Sequence, residues 1–102
     1  MSKIRVIIKR PDEPVGHYET IPNTLKALQQ AVGGYIETVT IGKYLAVICN
    51  EEGRIRGLPY NCHVCDIGFL GTIIAVGVDG EEFTDVPITL EDWKEDCLEA
   101  EG

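Results

Sequence analysis

The chain has 102 residues, 44% of them hydrophobic and 25% charged, which is typical of one globular domain and excludes a disordered or fibrous chain. The formal net charge is −8, and this disfavours binding of duplex nucleic acid over a large surface, because such binding needs a basic stripe. No apolar run is long enough to span a membrane.

The charge is unevenly distributed. Residues 1–60 contain eight Lys and Arg against six acids, whereas residues 61–102 contain Lys94 alone against eleven acids. The simplest interpretation is a solvated acidic C-terminal helix, and the alternative is a segment that imitates nucleic acid or docks on a basic partner. The first residues lack the features of a signal peptide, so we expect a cytoplasmic protein with reduced cysteines.

In chain order, the sequence first predicts a β-hairpin. Residues 3–9 are short and rich in β-branched side chains, as expected for a strand. Residues 10–16 contain two prolines and a glycine and form a turn-rich connection. Residues 17–21 then return as a second short strand.

A helix is predicted next. Asn23 or Thr24 can act as the N-cap of a helix over residues 25–32, whose apolar side chains recur at spacings of three and four. The Gly33-Gly34 pair ends this helix, because glycine adopts the left-handed conformation that closes a helix.

The middle of the chain predicts further antiparallel strands. Residues 35–41 and 44–49 are joined by a tight turn at Gly42-Lys43. After a second turn, we expect residues 54–58 to form a return strand and residues 59–68 to form an irregular loop.

The last third predicts an apolar strand and a helix. Residues 69–78 form the strand, in which Gly71 and Gly77 indicate a bulge or a close backbone approach. Asp79-Gly80 is a turn signal. Thr89 can cap a final helix that reaches Glu99, with acidic residues favourably placed in its first turn.

The whole pattern predicts an α+β fold with an antiparallel sheet and two short helices in a single domain, 1–102. Three blocks carry a resemblance: VGGYIETV (32–39), ICNEEGRIRGLPYN (48–61) and GTIIAVGVDGEEF (71–83). Their order and spacing resemble a small phage and bacterial family known as domain of unknown function 3846. The resemblance covers nearly the whole chain and implies a compact α+β domain, often phage-encoded, without established catalytic residues.

Cys62 and Cys65 have C-x-x-C spacing with His63 between them, at a place where the family pattern does not require cysteine or histidine. A structural zinc site would need further ligands. The candidates are Cys49, Cys97, His17 and His63. We expect Cys49 to be buried and Cys97 to pack on the last helix. A redox pair would normally open a helix. We therefore predict no metal and no cofactor, and an adventitious Cys62–Cys65 disulfide stays an open alternative.

Acidic doublets are the only other candidates for catalysis. They are Glu51-Glu52, Glu81-Glu82 and Glu91-Asp92. Adjacent residues of a strand point to opposite faces, so such doublets do not form an acid–base pair there. The sequence contains neither a nucleophile elbow nor a phosphate-binding loop. We predict that the protein is not an enzyme.

The residues from 50 to 61 suggest a nucleotide pocket. On a strand, Arg54 and Arg56 would share one face while Ile55 faces the core. Guanidinium groups bind phosphate, an aromatic ring stacks on a base, and an amide reads a base edge. The candidate ligand-binding residues are Arg54, Arg56, Tyr60, Asn61, Asn50 and Tyr35. The alternative is an ordinary hairpin with solvated arginines.

By analogy with small phage proteins that sequester the nucleotide messengers of bacterial immunity, we expect a binding protein of this kind. A pocket on so small a domain would need another subunit, and we expect a homo-oligomer whose self-association uses exposed Trp93 and Leu98. The rival expectation is an acidic protein-interaction inhibitor of a host enzyme.

Overall fold

The structure, a computed structural model, describes residues 2–98 and contains eight strands and two helical segments. The strands are β1 (Lys3–Lys9), β2 (His17–Pro22), β3 (Ile36–Thr40), β4 (Leu45–Asn50), β5 (Tyr60–Val64), β6 (Ile67–Leu70), β7 (Ile73–Asp79) and β8 (Glu82–Thr84). The main sheet is antiparallel with the order β2-β1-β7-β4-β3, and β8 pairs with β7. Strands β5 and β6 form a separate two-stranded sheet.

The central strands of the main sheet are covered on both faces. All residues of β4 are buried, and β7 is buried from Ile73 to Gly77. A strand between two covering layers reads as a continuous apolar run rather than an alternating one. This explains why the most apolar segments of the sequence lie at the centre of the sheet.

One face of the sheet is covered by helix α1 (Leu25–Val32). Thr24 is the N-cap, and its hydroxyl oxygen accepts a hydrogen bond from the Ala27 amide at 3.1 Å. Gly33 has a left-handed φ of 79° and its amide donates to the Gln29 carbonyl at 2.8 Å. Both predicted ends of the helix are therefore confirmed, and Leu28 and Val32 pack on the sheet.

The other face is covered by the β5–β6 hairpin and by the C-terminal helical segment. Helix α2 (Leu90–Asp92) continues directly into a π-helical turn, Trp93–Cys97. Trp93 is completely buried in this second core, and its indole N–H donates to the Val15 carbonyl at 3.0 Å. The expectation that Trp93 is exposed is wrong, because the segment turns its apolar side toward the sheet. Leu98 is half-buried and pairs with Val64 through an isolated β-bridge.

The predicted return strand over residues 54–58 is also wrong. Residues 51–57 form consecutive turns, in which the Arg56 amide donates to the Glu52 carbonyl at 2.9 Å and the Leu58 amide to the Gly53 carbonyl at 2.9 Å. These bonds close within the segment and replace a strand ladder. Ile55, expected in the core, is 87% exposed.

The loop predicted for residues 59–68 is instead mostly the β5–β6 hairpin. Its two-residue turn is Cys65-Asp66, and both residues have positive φ, 48° and 69°. This is the geometry of a type I′ turn, which sequence reasoning associates with Asn-Gly rather than Cys-Asp. The predicted long strand 69–78 is divided at Gly71, whose φ is 75°.

Two details near the C-terminus follow the predictions. A Cβ added to Gly77 would lie 2.2 Å from the Asp85 carbonyl oxygen, which confirms the predicted close backbone approach. Thr89 caps the last helix, because its hydroxyl accepts from the Asp92 amide at 3.0 Å. The predicted end at Glu99 lies outside the described residues. The α+β class with antiparallel sheets and two short helices is confirmed.

Within residues 2–98, none of the helical segments has the length and apolar character required to cross a membrane.

Candidate functional site

The two arginines of the predicted site do not share a face. Because residues 51–57 form turns, Arg54 and Arg56 diverge into separate depressions of the surface. Arg54 lines a groove of about 460 Å³ with Glu37, Ile55 and Phe69. Arg56 lines a different depression next to the end of α1. The predicted phosphate site, with both arginines on one face of a strand, is therefore not formed by this pair.

Arg56 and Tyr35 lie together. Both line a shallow depression of about 280 Å³, whose remaining walls include Gly34 and Glu52. The guanidinium Nη1 donates to the Gly33 carbonyl at 2.9 Å, which fixes its position over the end of α1. Tyr35 is 65% exposed. The depression thus combines an anchored cation with an open aromatic face.

Gly34 has no side chain, and this leaves room for the Arg56 guanidinium and the Asn50 amide beside it. A Cβ at this position would lie 3.0 Å from Arg56 Nη1 and 2.9 Å from Asn50 Nδ2. Both distances are shorter than ordinary van der Waals contact, so a larger residue would displace the guanidinium. The Gly33-Gly34 pair predicted as a helix end therefore also supports the Arg56 position.

Asn50 has a structural role beneath the depression. It is 5% exposed, its Nδ2 donates to the Val32 carbonyl at 3.1 Å, and its Oδ1 accepts from the Glu52 amide at 2.8 Å. The amide group is engaged at both ends, joining the end of α1 to the turns that carry Arg56. We therefore assign Asn50 to holding the end of α1 and the turns of residues 51–57 in place around the depression, rather than to contacting a ligand.

Tyr60 lies on β5, apart from the residues that line the Arg56 depression. Its hydroxyl is 2.5 Å from His63 Nδ1, and the two rings are 5.6 Å apart and inclined at 49°. The pair lies on exposed positions of the same strand. The structure therefore does not bring Tyr60 to Arg56 or Tyr35.

Asn61 is buried beside a cavity of about 630 Å³. Its Nδ2 donates to the carbonyls of Lys9 at 2.8 Å and Gly71 at 2.7 Å, and its Oδ1 accepts from Lys9 Nζ at 2.5 Å. Lys9 itself is only 4% exposed. The sequence did not indicate Lys9 as a site residue, because it lies next to Arg10 at the end of a predicted strand.

The cysteines occupy three kinds of environment. Cys62 is buried on β5, whereas Cys65 is exposed in the following turn. Cys49 is buried as expected, and this burial raises the pKa of its thiol to about 11, so it stays protonated at neutral pH. Burial also raises the pKa of Cys97. Among residues 2–98, no three His, Cys, Asp or Glu side chains are grouped closely enough to hold a metal ion.

The geometry defines a class of protein: a small antiparallel α+β domain with a layered core and a surface depression that combines an anchored arginine with an exposed tyrosine. A family model described as "Domain of unknown function (DUF3846)" matches residues 4–97, and the chain belongs to this family. The resemblance drawn from the three sequence blocks is thereby confirmed. Comparison with the curated proteins and with the solved structures found no match.

Proposed function

We propose that the protein is a non-enzymatic phage-type binding protein that sequesters a small nucleotide-derived signal of host immunity in the cytoplasm of the host cell. The observation that carries this proposal is the shared depression of Arg56 and Tyr35. The chemistry of these two side chains supports a nucleotide-like ligand. The counter-defence role rests on analogy with other small phage proteins.

Arg56 supports an anionic ligand. A guanidinium has five N–H donors in a fixed fork that matches the oxygens of a phosphate. The contact with the Gly33 carbonyl engages Nη1 and holds the fork in place. Because the group is already positioned, less side-chain entropy is lost when a phosphate binds.

Tyr35 supports the base of the same ligand. It follows Gly34 directly, so its ring stands at the edge of the depression that Arg56 lines. Stacking of a nucleobase on an exposed aromatic ring contributes about 1–3 kcal/mol and tolerates different bases. A phosphate on Arg56 and a base on Tyr35 would together occupy the depression.

The size of the depression supports a homo-oligomer. Ligand pockets commonly have volumes of about 300–1,000 Å³ and bury most of the ligand, whereas this depression has about 280 Å³. A second copy placed over Tyr35 would deepen the site and exclude water. Static light scattering after size-exclusion chromatography measures this directly, and a strict monomer with and without ligand would contradict a shared site.

Isothermal titration calorimetry against cyclic nucleotides and ADP-ribose derivatives tests the ligand class. We expect Arg56→Gln to weaken binding at least tenfold, because the phosphate contact is lost. Arg54→Gln is the matched control, since it removes the same charge two residues away in a different groove; it should change the affinity less than about twofold. Absence of any ligand with a Kd below about 10 μM, roughly −7 kcal/mol, would contradict the proposal.

A second candidate function has its own supporting observation. The C-terminal helical segment exposes four acidic side chains within six residues: Glu91, Asp92, Glu95 and Asp96. Such a patch suits an inhibitor that docks on a basic surface of a host enzyme. If neutralising these four residues abolishes salt-sensitive capture of a host protein while Arg56→Gln does not, the second function is favoured over the first.

A further inference from the structure

Lys9 is a buried cation that forms no ion pair with a carboxylate of the described chain. It is 4% exposed, at the last position of β1. Its Nζ donates to the Asn61 amide oxygen at 2.5 Å. Among residues 2–98, no ion pair includes Lys9. Lysine is almost never buried to this extent unless its charge is paired.

Within the described part of the chain, the hydrogen-bonding capacity of the Lys9 ammonium group is only partly used. An ammonium group has three N–H donors, and the Asn61 oxygen accepts from one of them. Burial of a charge with a single neutral partner carries a large desolvation cost. A negatively charged group supplied from outside the chain would offset this cost.

Asn61 holds the lysine head in a fixed place. Both N–H groups of its amide are directed at main-chain carbonyls, those of Lys9 and Gly71. The amide oxygen therefore points to Lys9 Nζ, and the side chain cannot rotate without losing these bonds. The ammonium is thus preorganised, which lowers the cost of binding an anion.

The cavity next to Lys9 restricts the kind of anion. Its volume is about 630 Å³, and Val15 and Leu98 provide an apolar wall. A second cation, Lys94, and three carboxylates also line it: Asp12, Glu13 and Glu95. These carboxylates repel an anion in proportion to its charge, so the cavity favours one negative charge on an apolar or cationic body over several.

We propose that this cavity binds a small monocarboxylate, whose carboxylate contacts Lys9 Nζ and whose body is apolar or carries an ammonium group. This site is separate from the Arg56 depression, because the two share no lining residue. Its ligand is a different class of molecule from the nucleotide proposed above, and the two proposals can fail independently.

Nuclear magnetic resonance titration of the intact chain tests the site. The probes are benzoate, leucine and propionate, with inorganic phosphate and citrate as multiply charged comparisons. We expect a saturable shift of the Asn61 side-chain amide and the Gly71 amide with a monocarboxylate, at a Kd on the order of 1 mM or tighter, and at least tenfold weaker binding of citrate. No saturable shift with any monocarboxylate, or shifts confined to the Arg56 depression, would overturn the proposal.

A pair of variants identifies the contact. Lys9→Met keeps the length of the side chain and removes its charge, so monocarboxylate affinity should fall at least tenfold. Lys3→Met removes the same charge from an exposed position of the same strand and should leave the affinity unchanged. Equal binding by wild type and Lys9→Met would overturn the proposal. If Lys9→Met does not fold, the mapping of the wild-type shifts onto Asn61 and Gly71 decides the question alone.

Discussion

At the scale of single residues, two asparagines selected as ligand contacts have structural roles. Asn50 joins the end of α1 to the turns of residues 51–57, and Asn61 joins β1 to the segment between β6 and β7. An amide side chain can replace a backbone group on both its donor and its acceptor side. This makes a buried asparagine suitable for connecting segments that no regular ladder connects.

Replacing Asn61 should therefore destabilise the fold. Asn61→Ala removes three buried hydrogen bonds and leaves Lys9 Nζ without its partner. We expect the free energy of unfolding in urea to fall by about 3 kcal/mol. Asn23→Ala is the matched control, since it removes one part-buried bond to the Phe83 carbonyl and should cost about 1 kcal/mol. Equal losses for the two variants would contradict the assigned role of Asn61.

His17 lies between two carboxylates. Its Nδ1 is 2.8 Å from Glu13 and its Nε2 is 3.0 Å from Glu19. The hydrogen bond with Glu13, followed by that with Glu19, raises the pKa of His17 above 6.5. For Glu13, burial acts to raise the pKa, but the bonds with His17 and with the Arg10 amide outweigh it and lower the pKa below 4.5.

The pH dependence of stability follows from these two directions. The contribution of His17 is complete below its unfolded pKa, about 6.5, and is lost as the pH rises through its raised folded value. The contribution of Glu13 is complete above about 4.5 and is lost as the pH falls through its lowered folded value. Both stabilising contributions are present between about pH 4.5 and pH 6.5. Because the groups are partly solvated, we expect a change of less than about 1 kcal/mol.

Urea denaturation from pH 4 to 9 measures this change, with His17→Gln for comparison. The wild-type protein should lose stability as the pH rises above 6.5, and the variant should lack this part of the profile. The loss of stability below pH 4.5 should also be smaller in the variant, because His17 is one of the groups that lower the pKa of Glu13. A wild-type protein that instead becomes more stable above pH 6.5, while the variant stays flat, would contradict a raised pKa of His17.

At the scale of elements, the β7–β8 hairpin depends on a glycine. A Cβ at Gly77 would meet the Asp85 carbonyl oxygen at 2.2 Å and Thr84 Oγ1 at 2.5 Å. Alanine is normally preferred to glycine within a strand because it loses less conformational entropy. Here the contact with the backbone reverses that preference, because the main chain that follows β8 has to move.

Gly77→Ala should therefore lower the free energy of unfolding by about 2–4 kcal/mol. Gly42→Ala provides the matched control: no atom lies within 4 Å of its added Cβ, and its effect should stay within about 0.5 kcal/mol. Thermal and urea denaturation compare the two variants. A neutral Gly77→Ala would mean that the chain around β8 does not hold this close approach in solution.

The β5–β6 hairpin places the two cysteines of the C-x-x-C pair in different environments. Cys65 is in the turn and Cys62 is on the strand, where it faces the core. The spacing that suggests a metal knuckle is also the spacing between a strand position and a two-residue turn. Here the turn requires positive φ at Cys65 and Asp66, and sequence reasoning had no signal for it because neither residue is glycine or asparagine.

At the scale of the whole molecule, the sheet separates two apolar layers. Leu28 and Val32 of α1 belong to one layer, and Trp93 and Phe69 belong to the other. The C-terminal helical segment therefore covers one side of the fold, and Trp93 fixes it to the connection before β2 through Val15. An amphipathic segment buries its apolar side against whichever sheet face is uncovered.

Trp93→Ala should lower the free energy of unfolding by about 3–5 kcal/mol, because it leaves a large cavity in the second layer. Trp93→Phe keeps most of the volume and loses mainly the bond to Val15, which should cost about 1 kcal/mol. Circular dichroism is the suitable probe, since the chain contains one tryptophan and both variants remove it. A Trp93→Ala variant of unchanged stability would contradict the buried position.

The sequence alone determined the fold class and part of the local structure. β-branched composition located β1, apolar spacing located α1, and an apolar run indicated the region of β7. Cap residues located the ends of α1 and the start of α2, because these signals act between residues close in the chain. The order and spacing of its three blocks, as a resemblance, also indicated the family.

Only the tertiary structure decided the arrangement of the candidate site. The sequence placed Arg54 and Arg56 on one face, but turn hydrogen bonds within residues 51–57 separate them and bring Arg56 to Tyr35. Nothing in the sequence indicated that Lys9 is buried, whereas packing of the β5–β6 hairpin places it against Asn61. Both outcomes depend on contacts between segments distant in sequence, and a periodic pattern contains no information about which segments meet.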